Sequence, residues 1–145
     1  NSEIARYCDR QGIPIQFLSA RIESEIAELD GEERQMFLAD LGIEESGLVT
    51  VTRLVYTRLG LISFFTVGED EVKAWTITRG MNARQAAGRI HSDIERGFIR
   101  AEVVAYEDFV RAGSLAAARS EGTLGLEGKD YIVQDGEIVH FRFNV

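Results

Sequence analysis

The chain has 145 residues, 45% of them hydrophobic and 28% charged, with a net charge of −8. That balance marks a globular chain of one domain or two small ones, not a disordered one. It also argues against a strong non-specific nucleic-acid binder, and no apolar run reaches the ~18 residues that cross a bilayer. Cys8 is the single cysteine, which excludes an internal disulfide and fits a reducing, cytosolic setting. The start, Asn1-Ser-Glu-Ile-Ala-Arg6, has no methionine and no charged-then-apolar leader, so it is expected to lie inside a longer chain.

Residues 2–11 read as the end of a helix, with Ile4, Ala5, Tyr7 and Cys8 on its apolar side and Gly12 as its stop. Ile13 to Leu18 is a short apolar run of the kind found in buried parallel strands, and Pro14 is tolerated near its start. Ser19-Ala20-Arg21-Ile22-Glu23 then leads into a helical pattern through Ile26 and Leu29. Asp30-Gly31-Glu32-Glu33 starts a further helix with a stripe of Met36, Phe37, Leu38 and Leu41, closed by Gly42. Another runs from about Ser46 to Leu59, and Gly60 ends it. The acidic faces of these two helices (Glu32, Glu33, Asp40, Glu44, Glu45) suggest a connector without chemistry.

After Gly60 the period changes. Leu61 to Val67 and Val72 to Thr78 flank Gly68-Glu69-Asp70 as a β-hairpin. Ala83, Ala86, Ala87, Ile90 and Ile94 fall on one stripe of a helix spanning Asn82–Arg96, with Asn82 as N-cap and Gly97 as a left-handed stop. A strand follows from Phe98 to Tyr106, then a helix around Ser114–Glu121 and a glycine-rich loop from Gly122 to Gly128. Asp135-Gly136 is the clearest hairpin turn, and beyond it Val139, Phe141 and Phe143 alternate with His140 and Arg142. The order ββ-α-β-(α)-ββ predicts an α+β, ubiquitin-like β-grasp plan in which one helix covers a small mixed sheet.

Charge is uneven along the chain. Residues 1–59 carry 6 basic and 11 acidic groups and residues 60–145 carry 10 and 13. Within residues 79–100, however, Arg79, Arg84, Arg89, Arg96 and Arg100 stand against only Asp93 and Glu95. With Lys129 they suggest a phosphate-facing patch. The same charges equally suit a solvated helix face with local ion pairs. His91 and Asp93 do not make a catalytic pair, because helix positions i and i+2 face apart and no nucleophile accompanies them. His91 is expected to pack or hydrogen-bond locally, and His140 to face solvent. Two histidines and one cysteine give no metal-ligand spacing. Trp75, Phe64 and Phe65 suit sheet packing better than base stacking.

One series of segments is specific enough to compare with a family: Ser63-Phe-Phe-Thr66, Glu71-Val-Lys-Ala-Trp-Thr76, Gln85-Ala-Ala-Gly88, His91-Ser-Asp93, Gly97-Phe-Ile-Arg-Ala101, Tyr106-Glu-Asp-Phe109, Gly128-Lys-Asp-Tyr131, and Asp135-Gly136 followed by Phe143-Asn144. In that order they closely resemble the C-terminal TGS domain of the YchF, or Obg-like, P-loop ATPases. The resemblance implies a TGS domain over residues 61–145, with Val145 as the natural C-terminus. It implies a helical connector over 30–60. Over 1–29 it implies the last strand, loop and helix at the edge of an α/β G domain. There Ser19, Ala20 and Arg21 correspond to the loop that lines the nucleotide base, in the parent protein only. The family also implies ATP or GTP with Mg²⁺ in the parent, a cytoplasmic location, and association with ribosomes or RNA. The chain contains no Gly-x-x-x-x-Gly-Lys-Ser/Thr, so no cofactor, metal or catalytic residue is assigned to it and no hydrolysis is expected of it alone. A ubiquitin-like module that binds a protein partner and no nucleic acid is the rival reading, and the net acidity favours it.

Overall fold

Ser19 and Asp30 start helices as their residue types predict. The Ser19 Oγ accepts from the Ile22 N–H at 3.4 Å and the Asp30 Oδ1 from the Glu33 N–H at 3.1 Å, satisfying amides that are free in a first turn. The computed structural model describes residues 2–68 and 70–144, in two units, 1–58 and 59–145. The expectations on Val145 and on Glu69 of the hairpin turn lie outside the described residues. In the first unit, helices α1 (Ser2–Gln11), α2 (Ala20–Glu28), α3 (Gly31–Asp40) and α4 (Gly47–Leu59) follow one another, with Leu59 already in the second unit. A Glu23 carboxylate oxygen accepts from the Gly47 N–H at 2.8 Å and ties α2 to the start of α4.

The strand expected over Ile13–Leu18 is not formed: residues 13–19 hold neither helix nor strand. Ile13, Ile15, Phe17 and Leu18 are 49%, 37%, 50% and 49% exposed. A parallel strand depends on ladder bonds from neighbours and on cover over both faces. Among the described residues of this unit no other strand supplies either.

The second unit is a five-stranded sheet with helices on both faces. Strands β1 (Leu61–Val67) and β2 (Val72–Thr78) form the expected hairpin, paired from Leu61↔Thr78 to Val67↔Val72. Then follow α5 (Ala83–Ile90), α6 (Ser92–Arg96), β3 (Phe98–Val104), α7 (Tyr106–Ala112), α8 (Leu115–Ser120), β4 (Gly125–Glu127) and β5 (Ile138–Phe143). The sheet order is β2-β1-β5-β3-β4, with β5 parallel to β1 and antiparallel to β3. The last strand thus closes the centre of the sheet. On one face Ala83, Ala86 and Ala87 of α5 pack fully buried against Ile62, Phe64, Ile77, Val139 and Phe141. The small alanine side chains let the helix axis approach the sheet closely. On the other face Phe109, Leu115 and Ala118 of α7 and α8 cover Phe65, Val104 and Ile138. This is the α+β, β-grasp arrangement that the pattern predicts.

Four local expectations are corrected. The single helix Asn82–Arg96 is two, because His91 is extended (φ −161°, ψ 144°) and its Nδ1 accepts from the Asp93 N–H at 3.2 Å, capping α6. Gly97 is not left-handed (φ −87°). Glycine suits the site because an added Cβ would sit 2.0 Å from the Asn144 carbonyl oxygen. Asp135-Gly136 does turn the chain, with Gly136 at φ +82°, but no hairpin results. The Asp135 carboxylate accepts from the Ser63 N–H at 2.9 Å and the Gly136 N–H donates to the Ser63 carbonyl at 2.8 Å, so the turn docks on β1 instead. Finally, the strand from Phe98 ends at Val104, α7 begins at Tyr106, and the glycine-rich loop contains β4.

The same turn region holds a half-buried polar pair. The Tyr131 hydroxyl donates to the Glu137 carboxylate, whose other oxygen accepts from the Gln134 N–H at 2.8 Å. Burial, and then this bond, push the phenol's pKa above its ordinary value. Folding therefore favours the neutral phenol. Its contribution is full below the unfolded value of about 10 and is lost as pH rises through the higher folded value. Tyr131→Phe is expected to cost about 1 kcal/mol at neutral pH and to remove this alkaline loss. Urea midpoints of both proteins at pH 7 and pH 11 check it.

Candidate nucleic-acid interface

The structure gathers some of the predicted basic residues and separates others. Arg84 stands exposed in the first turn of α5, with its Nε donating to the Glu95 carbonyl at 3.2 Å. The Arg84 N–H reaches the Lys129 carbonyl at 3.3 Å, which brings the exposed Lys129 turn beside it. Arg89 is exposed on the same helix, but five residues on, about 140° around the axis. Arg96 is paired with Asp93, whose carboxyl the Arg96 guanidinium holds below its ordinary pKa. Arg79 lies exposed in the turn after β2. Arg100 belongs elsewhere: β3 points Ala101 and Val103 into the α5 core, so Arg100 and Glu102 project from the opposite face of the sheet.

The His91–Asp93 pair meets after all. His91 Nδ1 lies 3.4 Å from Asp93 Oδ2, because His91 is extended and not helical. Both groups are engaged in capping and pairing around α6, as local hydrogen bonding would have it. His140 is exposed. Trp75 packs at the edge of the core, its Nε1–H donates to Thr66 Oγ1 at 2.9 Å, and the Lys73 ammonium sits 4.4 Å over its ring.

In the first unit Ser19 caps α2, Ala20 opens it, and the Arg21 Nε donates to Glu25 at 2.9 Å with the Arg21 side chain 89% exposed. Beside Ser19 lies an open groove of about 390 Å³, walled by Phe17, Leu18 and Ile22 and by Glu23, Glu44 and Glu45. Its apolar wall suits the flat face of a nucleotide base. No lysine or arginine lines this groove to pair with a phosphate.

One polar cluster escaped the sequence reading. Glu102 is 4% exposed in the middle of β3; its Oε1 accepts from Arg119 on α8 at 2.6 Å and forms an ion pair with Arg142 on β5. The signal was present as a carboxylate inside the apolar run Ala101–Val104, since a buried charge requires a partner. The partners themselves lie on other elements and carry no sequence mark.

Fold and charge layout together define an α+β protein whose second unit is a β-grasp domain with basic side chains on both faces of its sheet. The YchF-GTPase_C family, described as a protein of unknown function (DUF933), matches residues 61–144, and the chain belongs to that family. The Ribosome-binding ATPase YchF of Bacillus subtilis (strain 168) is 55% identical over 144 residues, covering 99% of this chain and 39% of that protein. Obg-like ATPase 1 of Gallus gallus is 45% identical over 126 residues, covering 87% and 32%. The structure of the Schizosaccharomyces pombe YchF GTPase superposes with a TM-score of 0.88 at 33% identity, over 97% of this chain and 38% of that one. A GTP binding protein from Pyrococcus horikoshii OT3, with a TM-score of 0.65 at 19% identity, shares the fold. The chain spans about two-fifths of the length of the curated relatives it matches.

Proposed function

We propose that this chain is the C-terminal part of a cytoplasmic, ribosome-associated P-loop ATPase or GTPase, and that its β-grasp unit is the part that contacts the ribosome or RNA. The observation that carries this reading is the match of proteins named ribosome-binding ATPases across both units. On this reading residues 1–29 belong to the edge of a G domain, 30–60 to a connector and 61–145 to a TGS domain. Ser19, Ala20 and Arg21 flank the base of ATP or GTP. The phosphates and Mg²⁺ are held by residues of the parent outside this chain.

Arg84 with Lys129, extended by Arg79 and Arg89, is the proposed contact on the α5 side. Such contacts carry affinity and little sequence information. Reversing Arg84 and Arg89 to glutamate in the full-length protein is expected to weaken co-sedimentation with ribosomes at least ~10-fold at 50–200 mM salt, because two phosphate contacts become repulsions. Undiminished pelleting would remove these residues from the interface. The rival, a protein-binding module, draws on the net charge of −8. Salt separates the two: phosphate contacts make log K fall with log salt at about 0.7–0.9 per contact, whereas a packed protein interface responds little.

A further inference from the structure

The Glu102 cluster has more cation than its carboxylate needs. One arginine would neutralise Glu102, yet two form ion pairs with the same Oε1, so the trio keeps a charge of +1. Arg100 adds another. It is the register partner of Arg142, sits two positions before Glu102 on β3, is exposed, and forms no ion pair with a described residue. His140, the register partner of Glu102, shares this face. The Arg119 and Arg142 side chains remain 54% and 51% exposed, so donors not used on Glu102 face solvent. A guanidinium carries five N–H donors in a planar fork that matches a phosphate. The buried carboxylate therefore holds two forks in place, one on α8 and one on β5, with a third beside them on β3.

We propose that the surface formed by Arg100 and Arg142 of the sheet and Arg119 of α8, organised by Glu102, binds the phosphodiester backbone of RNA. The choice of RNA over other polyanions rests on the ribosome-associated reading above. Three guanidiniums spread over β3, β5 and α8 argue for a backbone rather than a small phosphorylated ligand. The groove beside Glu102, Leu115, Arg119 and His140 is open, and no Phe, Tyr or Trp ring lines it to stack a base. This surface lies across the sheet from Arg84 and Arg89, so the two contacts are separable.

The test is fluorescence anisotropy of a labelled oligouridylate of about 12 nucleotides, titrated with the 145-residue chain across a salt series. Arg100→Gln and Arg142→Gln are each expected to weaken binding about 3- to 10-fold and to flatten the salt slope by about 0.7, one phosphate contact each. Their melting curves should match the parent's, since Arg119 still pairs with Glu102 in both. Glu102→Gln raises the net charge by one and is still expected to weaken binding, because the forks lose their common anchor. Arg10→Gln, at an exposed position of α1 in the first unit, is expected to leave oligonucleotide affinity within about twofold, whereas Arg84→Glu with Arg89→Glu reads the other surface through ribosome co-sedimentation, so failure of either surface shows independently. Parent-like affinity and slope in Arg100→Gln and Arg142→Gln, tighter binding by Glu102→Gln, or no binding by the parent chain would overturn the proposal.

Discussion

Phe64→Ala is expected to lower the stability of the second unit by about 3–5 kcal/mol, a large share of the 5–15 kcal/mol typical of a whole domain. Phe64 is 0% exposed and meets Phe141 edge-to-face with ring centroids 5.9 Å apart, and Phe141 in turn meets Phe98 at 6.1 Å. Removing its ring empties space between the sheet and α5. The facing residues Ala83, Ala86 and Ala87 are too short to fill it, so the cavity term adds to the lost transfer energy. Trp75 is the single tryptophan and packs against the same cluster, so its fluorescence reports urea unfolding of this unit directly. A matched control is Phe143→Ala. At 44% exposure it has less burial to lose, and its cost should stay near 1 kcal/mol. Equal losses in the two variants would show that the core is not centred on Phe64.

The second large effect is expected at Gly97, where alanine should cost about 2–3 kcal/mol. The added Cβ would lie 2.0 Å from the Asn144 oxygen and 2.8 Å from its carbonyl carbon, both backbone atoms. Relief requires the chain after β5 to move outwards, which breaks the Asn144 N–H bond to the Gly97 carbonyl at 2.9 Å. A left-handed helix cap predicts something different, a conformational penalty of about 1 kcal/mol with no packing loss. Gly136 provides that comparison within the same molecule. Its φ is +82° with nothing within 4 Å of an added Cβ, so Gly136→Ala should cost about 1 kcal/mol. Thermal or urea unfolding of both variants separates close approach from backbone conformation. A Gly97→Ala cost no larger than that of Gly136→Ala would return the site to the capping explanation.

The readable parts of this fold are those whose cause is local. Asn82 and Gln85 exchange reciprocal hydrogen bonds at 2.9 and 3.0 Å, a cap written in residues three apart. The alanine stripe of α5 is a periodicity of one element, and it buries the face it predicts. What was missed is set by groups distant along the chain. His91 looked helical because Ala83 to Ile94 keeps a 3.6-residue period, and only its capping bond to Asp93 shows the break. The three residues of β4 carry no strand period of their own and are strand because β3 offers them an edge. The run Ile13–Leu18 is the converse: a strand-like pattern without neighbours in its unit stays out of any ladder.

The candidate sites divide in the same way. The excess of arginine between residues 79 and 100 is countable from the sequence, but which arginines share a surface is not. Strand alternation sends Arg100 to the face opposite Ala101 and Val103, away from Arg84. The sequence by itself determined the α+β class, the helix caps and the alternating strand faces, because these follow from side chains within a few residues of one another. The tertiary structure alone decided that β5 enters between β1 and β3, that Gly97 is held by Asn144, and that Glu102 draws Arg119 and Arg142 onto one face. A carboxylate buried in a sheet must find its cations wherever the chain crossing places them, and sequence spacing does not encode that crossing.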